Sequence, residues 1–166
     1  MKRFLVVPLV LLLTLATVLP GLAAGLAATT YSDTIVGYEI FPGVTDPSTG
    51  IVYGTTFVGR ASGELPGWWR VSVNYQGPAV KEAGKTNAIL GGTWKLSNWK
   101  GSVYGSVTGG TVTWIDGTHA NVTGSLSVVG GTGAYVGWAG VGGFEGLLDE
   151  TVFPPKLTGT LTLTFP

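Results

Sequence analysis

The side chains able to do chemistry are few, and most of them sit alone. Cysteine is absent and His119 is the single histidine of 166 residues. This removes thiol catalysis, disulfide frameworks and any multi-histidine metal site. His119 could act as a general base, yet it follows the Asp116-Gly117-Thr118 turn and shares a strand face with Asn121, Thr123, Ser125 and Ser127. That hydroxyl-rich face is expected to meet solvent. Asn121-Val122-Thr123 is a bare glycosylation sequon on the same face. Asp149 and Glu150 are adjacent acids ahead of Pro154-Pro155, and without a further series of oxygen ligands they read as solvated loop residues. No catalytic residue, metal ligand or cofactor site is expected from these groups.

Tryptophan is the more informative residue, because Trp68, Trp69, Trp94, Trp99, Trp114 and Trp138 are many for a chain of this size. Such side chains either stack on sugars or line an apolar cavity. Trp69 shares a face with Val71, Val73 and Tyr75, Trp94 with Leu90 and Leu96, and Trp114 with Val112. Trp69, Trp94 and Trp114 therefore read most simply as core or lumen residues, and they are the candidate lumen aromatics for contact with a ligand. Trp68 and Trp99 flank turns, where an exposed aromatic platform is expected. Arg60, Arg70, Glu39 and Glu145 are charges within strands, and alternation alone leaves their direction open.

The elements that position these residues read as strands throughout. Leu157, Gly159, Leu161, Leu163 and Phe165 alternate with Thr158, Thr160, Thr162 and Thr164, the pattern of a half-buried strand. Ala120, Val122, Gly124, Leu126 and Val128 alternate in the same way. Asp116-Gly117 between two such runs predicts a tight hairpin, with Gly117 supplying a positive φ. Further strands are expected near 33–41, 51–62, 68–75, 88–98, 101–108, 112–114 and 134–147. Turns are expected at Pro42-Gly43, 46–50, Gly77-Pro78, Gly109-Gly110 and 130–133. The glycine content, 28 residues, is high, and many glycines fall inside strands, where they mark bulges and tight coiling. The expectation is an all-β fold, an antiparallel closed barrel of about eight strands.

Met1-Lys2-Arg3, an apolar run from Phe4 to Leu19 and the small residues ending at Ala28 have the layout of a signal peptide. The organisation predicted is a signal peptide over 1–28 and a single barrel domain over 29–166, secreted or on the cell surface. Were the segment to stay uncleaved, it would be the chain's only membrane contact. Nine Lys plus Arg balance nine Asp plus Glu, so the totals predict no basic patch for a polyanion and no nucleic-acid partner.

The segment Ser127 to Gly140, reading SVVGGTGAYVGWAG, the Gly142 to Gly146 strand GGFEG and the closing strand LTGTLTLTF from Leu157 to Phe165 resemble the allene oxide cyclase barrel-like group, whose barrel plant dirigent proteins share. The resemblance covers roughly the last third of the chain. It implies an eight-stranded antiparallel barrel with an apolar lumen, association into homo-oligomers, and either cyclisation of an unsaturated epoxide or steering of phenolic radical coupling. The matching positions are turn and scaffold residues, so no catalytic residue carries over, and the fold alone does not settle function. The leading expectation is a secreted barrel that binds a small apolar or aromatic molecule or serves as a surface component. The others are an isomerase or cyclase acting by substrate folding without metal or nucleophile, a structural surface or filament subunit, and a small outer-membrane barrel.

Overall fold

A computed structural model describes residues 27–77 and 81–166. The proposed signal segment, residues 1–28, lies almost entirely outside the described residues. The remainder is strand, turn and loop: β1 (Thr29–Phe41), β2 (Val44–Thr45), β3 (Ile51–Gly63), β4 (Gly67–Gln76), β5 (Thr86–Asn98), β6 (Gly101–Trp114), β7 (His119–Gly133), β8 (Gly140–Asp149) and β9 (Lys156–Phe165). Each long strand pairs antiparallel with the next from β3 to β9. β1 pairs with both β3 and β9, which closes a ring of eight, and two-residue β2 is appended to β3. The sheet therefore has no long open edge to offer another chain.

Alternation decides which face turns inward. Leu157, Leu161, Leu163 and Phe165 of β9 are buried, as are Ala120, Val122, Leu126 and Val128 of β7, while Thr123, Ser125 and Thr160 are exposed. Burying such a face is worth about 25 cal/mol per Å² of apolar surface, and a one-residue slip would forfeit it. The apolar face is thus the inner one and the hydroxyl face the outer one. An outer-membrane barrel has the reverse arrangement.

Four local expectations are corrected. Gly109-Gly110 is no turn: β6 runs through it, so the runs at 101–108 and 112–114 are one strand. Residues 130–133 belong to β7, and the chain turns at 134–139 instead, ahead of a shorter β8. The Asp116-Gly117 hairpin is a four-residue loop in which Gly117 has no positive φ. There the Asp116 carboxylate accepts the Thr118 and His119 N–H groups, each at 2.7 Å, and a side-chain anchor replaces the glycine-dependent tight turn. Leu90, expected to share a face with Trp94, is 51% exposed, whereas Ile89 is buried. The ladder between β4 and β5 slips between Asn74 and Tyr75, and this bulge reverses the alternation.

The two ends of the barrel differ. One is closed by aromatic packing: Trp138 lies 4.3 Å from Phe165, 5.3 Å from Tyr31 and 4.8 Å from Tyr135, centroid to centroid. The β3–β4 turn is latched to β1 at that end. The Asp33 carboxylate accepts the Leu65 N–H at 2.9 Å, and Glu64 accepts the Ser32 N–H at 2.7 Å. The second Asp33 oxygen is buried without a partner among the described residues, and burial raises the pKa of this carboxyl.

Candidate ligand cavity

The interior is not filled from end to end. A cavity of about 480 Å³ opens at the end where β1 finishes and β9 begins, and its wall is mainly apolar. Eight strands enclose just enough space for side chains or for one small ligand. Here small inward residues such as Gly124, Val71, Val73 and Val112 leave the room.

Trp69, Trp94 and Trp114 all line this cavity and are buried, as the alternation predicts for them. Two of the three lie over glycines. A Cβ on Gly37 of β1 would sit 2.5 Å from the Trp69 ring, and one on Gly105 of β6 would sit 3.1 Å from Trp94 Nε1. The absence of those side chains lets each indole lie against the neighbouring backbone. Trp94 Nε1 donates to the Ser127 carbonyl at 3.2 Å and Trp69 Nε1 to the Val36 carbonyl at 3.4 Å; Trp114 Nε1 donates to Asn87 Oδ1 at 3.1 Å. Each buried indole N–H is satisfied, so the three rings present apolar surface to the lumen in fixed orientations.

The polar groups gather at the mouth. Glu39 follows Asp33, Ile35 and Gly37 on the inward face of β1 and reaches the cavity, together with Tyr75, Asn87, Lys81 and Glu150. Lys81 pairs with Glu150, and its ammonium lies 5.2 Å from the Trp114 ring centroid. Glu150 is therefore a mouth residue with a partner, which corrects its reading as a freely solvated loop acid. Burial pushes the Glu39 carboxyl above its usual range, the Glu150 charge adds to this, and Lys81 partly offsets it. Burial also raises the Tyr75 phenol. Arg60, Arg70 and Glu145 point outward.

His119 stays outside the cavity. Its Nδ1 is 2.9 Å from Asp116 Oδ2 and its Nε2 3.6 Å from Asp149 Oδ1, on the rim of the outer face. Asp149 accepts the Thr151 hydroxyl at 2.5 Å and the Thr151 N–H at 2.8 Å, and these two bonds lower its pKa. Asn121 is exposed on the same outer surface. Among the described residues no group of three or more His, Asp or Glu side chains could hold a metal ion.

The mouth charges are what sequence reasoning misses. The alternation of β1 gave Glu39 no inward signal, since Val36, Tyr38 and Ile40 on the opposite face are the more apolar set and yet are exposed. Lys81 and Glu150 carried none, because loops some seventy residues apart meet only once the barrel closes.

Glu39 has a measurable consequence. A carboxyl whose pKa is higher folded than unfolded holds more protons in the native state, so its contribution to stability falls as pH rises through the interval from 4.5 to the raised value. Glu39→Gln removes that term. The variant's unfolding midpoint should exceed that of the parent near pH 8 by more than it does near pH 4, measured by denaturant titration at both pH values. A gap that is constant with pH would place Glu39 in ordinary solvent.

No family model matches this chain, and no curated protein matches it.

Proposed function

We propose that this protein binds a small apolar or aromatic molecule in the lumen of its barrel, with the polar end of the ligand at the Glu39, Tyr75 and Asn87 mouth. The observation that carries the reading is the cavity of about 480 Å³. Its volume lies in the range of small-molecule sites, and its wall is apolar with a few polar groups converging at one end, the combination that fixes both affinity and orientation. The resemblance of residues 127–165 to the allene oxide cyclase barrel-like group agrees with a ligand held in the lumen. Residues 1–28, read as an export signal, would set that binding outside the cell, with the barrel secreted or held at the surface.

Gly124 gives the test. It lines the lumen, its φ is not positive, and the nearest atom to a Cβ built on it is 3.9 Å away. Gly124→Leu should fill the lumen without opening the sheet. In a titration with the neutral fluorophore N-phenyl-1-naphthylamine, the parent should show saturable one-to-one binding with quenching of tryptophan emission. The variant should bind at least tenfold more weakly at an unchanged unfolding midpoint. Equal binding by the two proteins, or no saturable binding by the parent, would overturn the lumen reading.

Glu39 favours a second reading, an isomerase or cyclase that folds its substrate against the indoles. A carboxyl whose pKa is raised by burial is the stronger candidate to donate a proton to a carbonyl or epoxide oxygen at the mouth, while the rigid apolar wall restricts the conformers of the substrate. Turnover of an unsaturated epoxide that is lost in Glu39→Gln while probe binding survives would select this reading over simple binding.

A further inference from the structure

The balanced charge totals conceal a segregation on the outer surface. Strands β3 to β6 contain no Asp or Glu, yet Arg60, Arg70 and Lys95 project from them and Lys100 stands in the β5–β6 turn, all four exposed. The ion pairs formed among the described residues involve Lys81 and His119, and none involves these four cations. Arg70 and Lys95 are direct cross-strand partners on the same face. Like charges set opposite each other destabilise a sheet, and an anion lying between them would reverse the sign of that interaction.

Aromatic surface accompanies the charge. Arg60 is the cross-strand partner of Trp68, with its guanidinium carbon 4.5 Å from the ring centroid, and Lys100 Nζ lies 5.2 Å from the Trp99 ring. Trp68 is 56% exposed and Trp99 89% exposed, and both line one shallow groove with Arg60. The groove lies at the aromatic-closed end of the barrel, away from the cavity mouth.

We propose that this groove and the cations around it bind an acidic polysaccharide. The apolar C–H face of a pyranose ring stacks on an exposed indole, and a carboxylate or sulfate carried by that ring meets Arg60, Arg70 and Lys95. The size of the patch favours a sugar over a nucleic acid. Beyond Arg70 and Lys95 the next cross-strand row is Ser72, Thr93 and Ser106, so the positive charge ends there. With strands about 4.8 Å apart, the charged area spans roughly one or two sugar units, too short to follow a phosphate backbone over the several nucleotides that single-strand binders cover.

Affinity electrophoresis of the full chain provides the test, with polygalacturonate, dextran sulfate or neutral dextran in the gel. Flotation with phosphatidylglycerol-containing vesicles and a shift assay with a single-stranded 20-mer DNA run alongside. The expected result is retardation by polygalacturonate or dextran sulfate but not by dextran, weakened by salt. Trp68→Ala and the double variant Arg70→Gln/Lys95→Gln should each bind at least tenfold more weakly. Retardation by polygalacturonate alone assigns the anion as carboxylate, and by dextran sulfate alone as sulfate. Unfolding midpoints certify the fold of each variant, and the double variant should be no less stable than the parent because a repulsion has been removed. The proposal is overturned if neither acidic polymer retards the protein, if the variants bind as the parent does, or if vesicles or DNA bind more tightly than the polysaccharide and the same variants lose that binding.

Discussion

Gly105→Ala should destabilise the barrel by about 3 kcal/mol or more, at or above the top of the usual range for overpacking. A Cβ at this position would lie 1.7 Å from the Ser127 carbonyl oxygen of the adjacent strand, the tightest such approach among the described glycines. Backbone cannot step aside as a flexible side chain can. The β6–β7 ladder would have to open there, and the same movement would displace Trp94, whose Nε1 donates to that carbonyl. Gly124→Ala is the control, because its Cβ meets nothing closer than 3.9 Å. Replacing that glycine should change stability by less than about 1 kcal/mol, in the stabilising direction if the lost freedom of the unfolded chain dominates. Denaturant midpoints of the two variants measure the contrast, and similar losses at both positions would show that the close approach at Gly105 carries no energetic weight.

Leu163→Ala should cost about 2 to 5 kcal/mol, while Thr162→Lys beside it costs a few tenths. Leu163 is 1% exposed and packed within the core, and its Cδ2 would lie 2.7 Å from a Cβ on Gly142 of β8. Truncation should leave a closed void at this position. Thr162 faces outward on the hydroxyl-lined surface, where a lysine stem can lie along the sheet with its ammonium in water. Leu161 provides an internal comparison. It is buried but borders the lumen, so Leu161→Ala widens an existing space that opens at the mouth, and its cost should fall in the lower half of the same range. Equal losses at 161 and 163 would mean that the void near Leu163 collapses as readily as the lumen accommodates.

The inner wall of the cavity is legible in the sequence because it depends on a period of two. Trp69 with Val71 and Val73, and Trp114 with Val112, fall inward as expected, since neither run is broken by a bulge between those residues. Leu90 failed where such a bulge intervenes. A slip of one residue is invisible to a pattern that counts alternate positions, and Gly91-Gly92 could equally have signalled bend, bulge or turn. Gly109-Gly110 misled for a related reason. In short strands a glycine pair ends the element, but in a long coiled strand it permits the bend that closure requires. Asp116-Gly117 misled because the loop draws its stability from the Asp116 carboxylate rather than from a left-handed glycine.

The sequence by itself determined that this protein is an antiparallel sheet closed on itself, with Trp69, Trp94, Trp114 and the alternating leucines and valines of β7 and β9 inside and the threonines and serines between them outside. Alternation and apolar burial are properties of neighbouring residues and need no knowledge of the rest of the chain. Only the tertiary structure decided where charge matters. Glu39 acquires its raised pKa from burial and from Glu150, more than a hundred residues away, and Lys81 reaches Glu150 only because β4, β5, β8 and β9 end at the same rim. The basic face of β3 to β6 likewise emerges when strands distant in the chain are laid side by side, so equal totals of acid and base said nothing of it. Coulombic energy and desolvation depend on distance and depth in space, and neither quantity is written in the order of the residues.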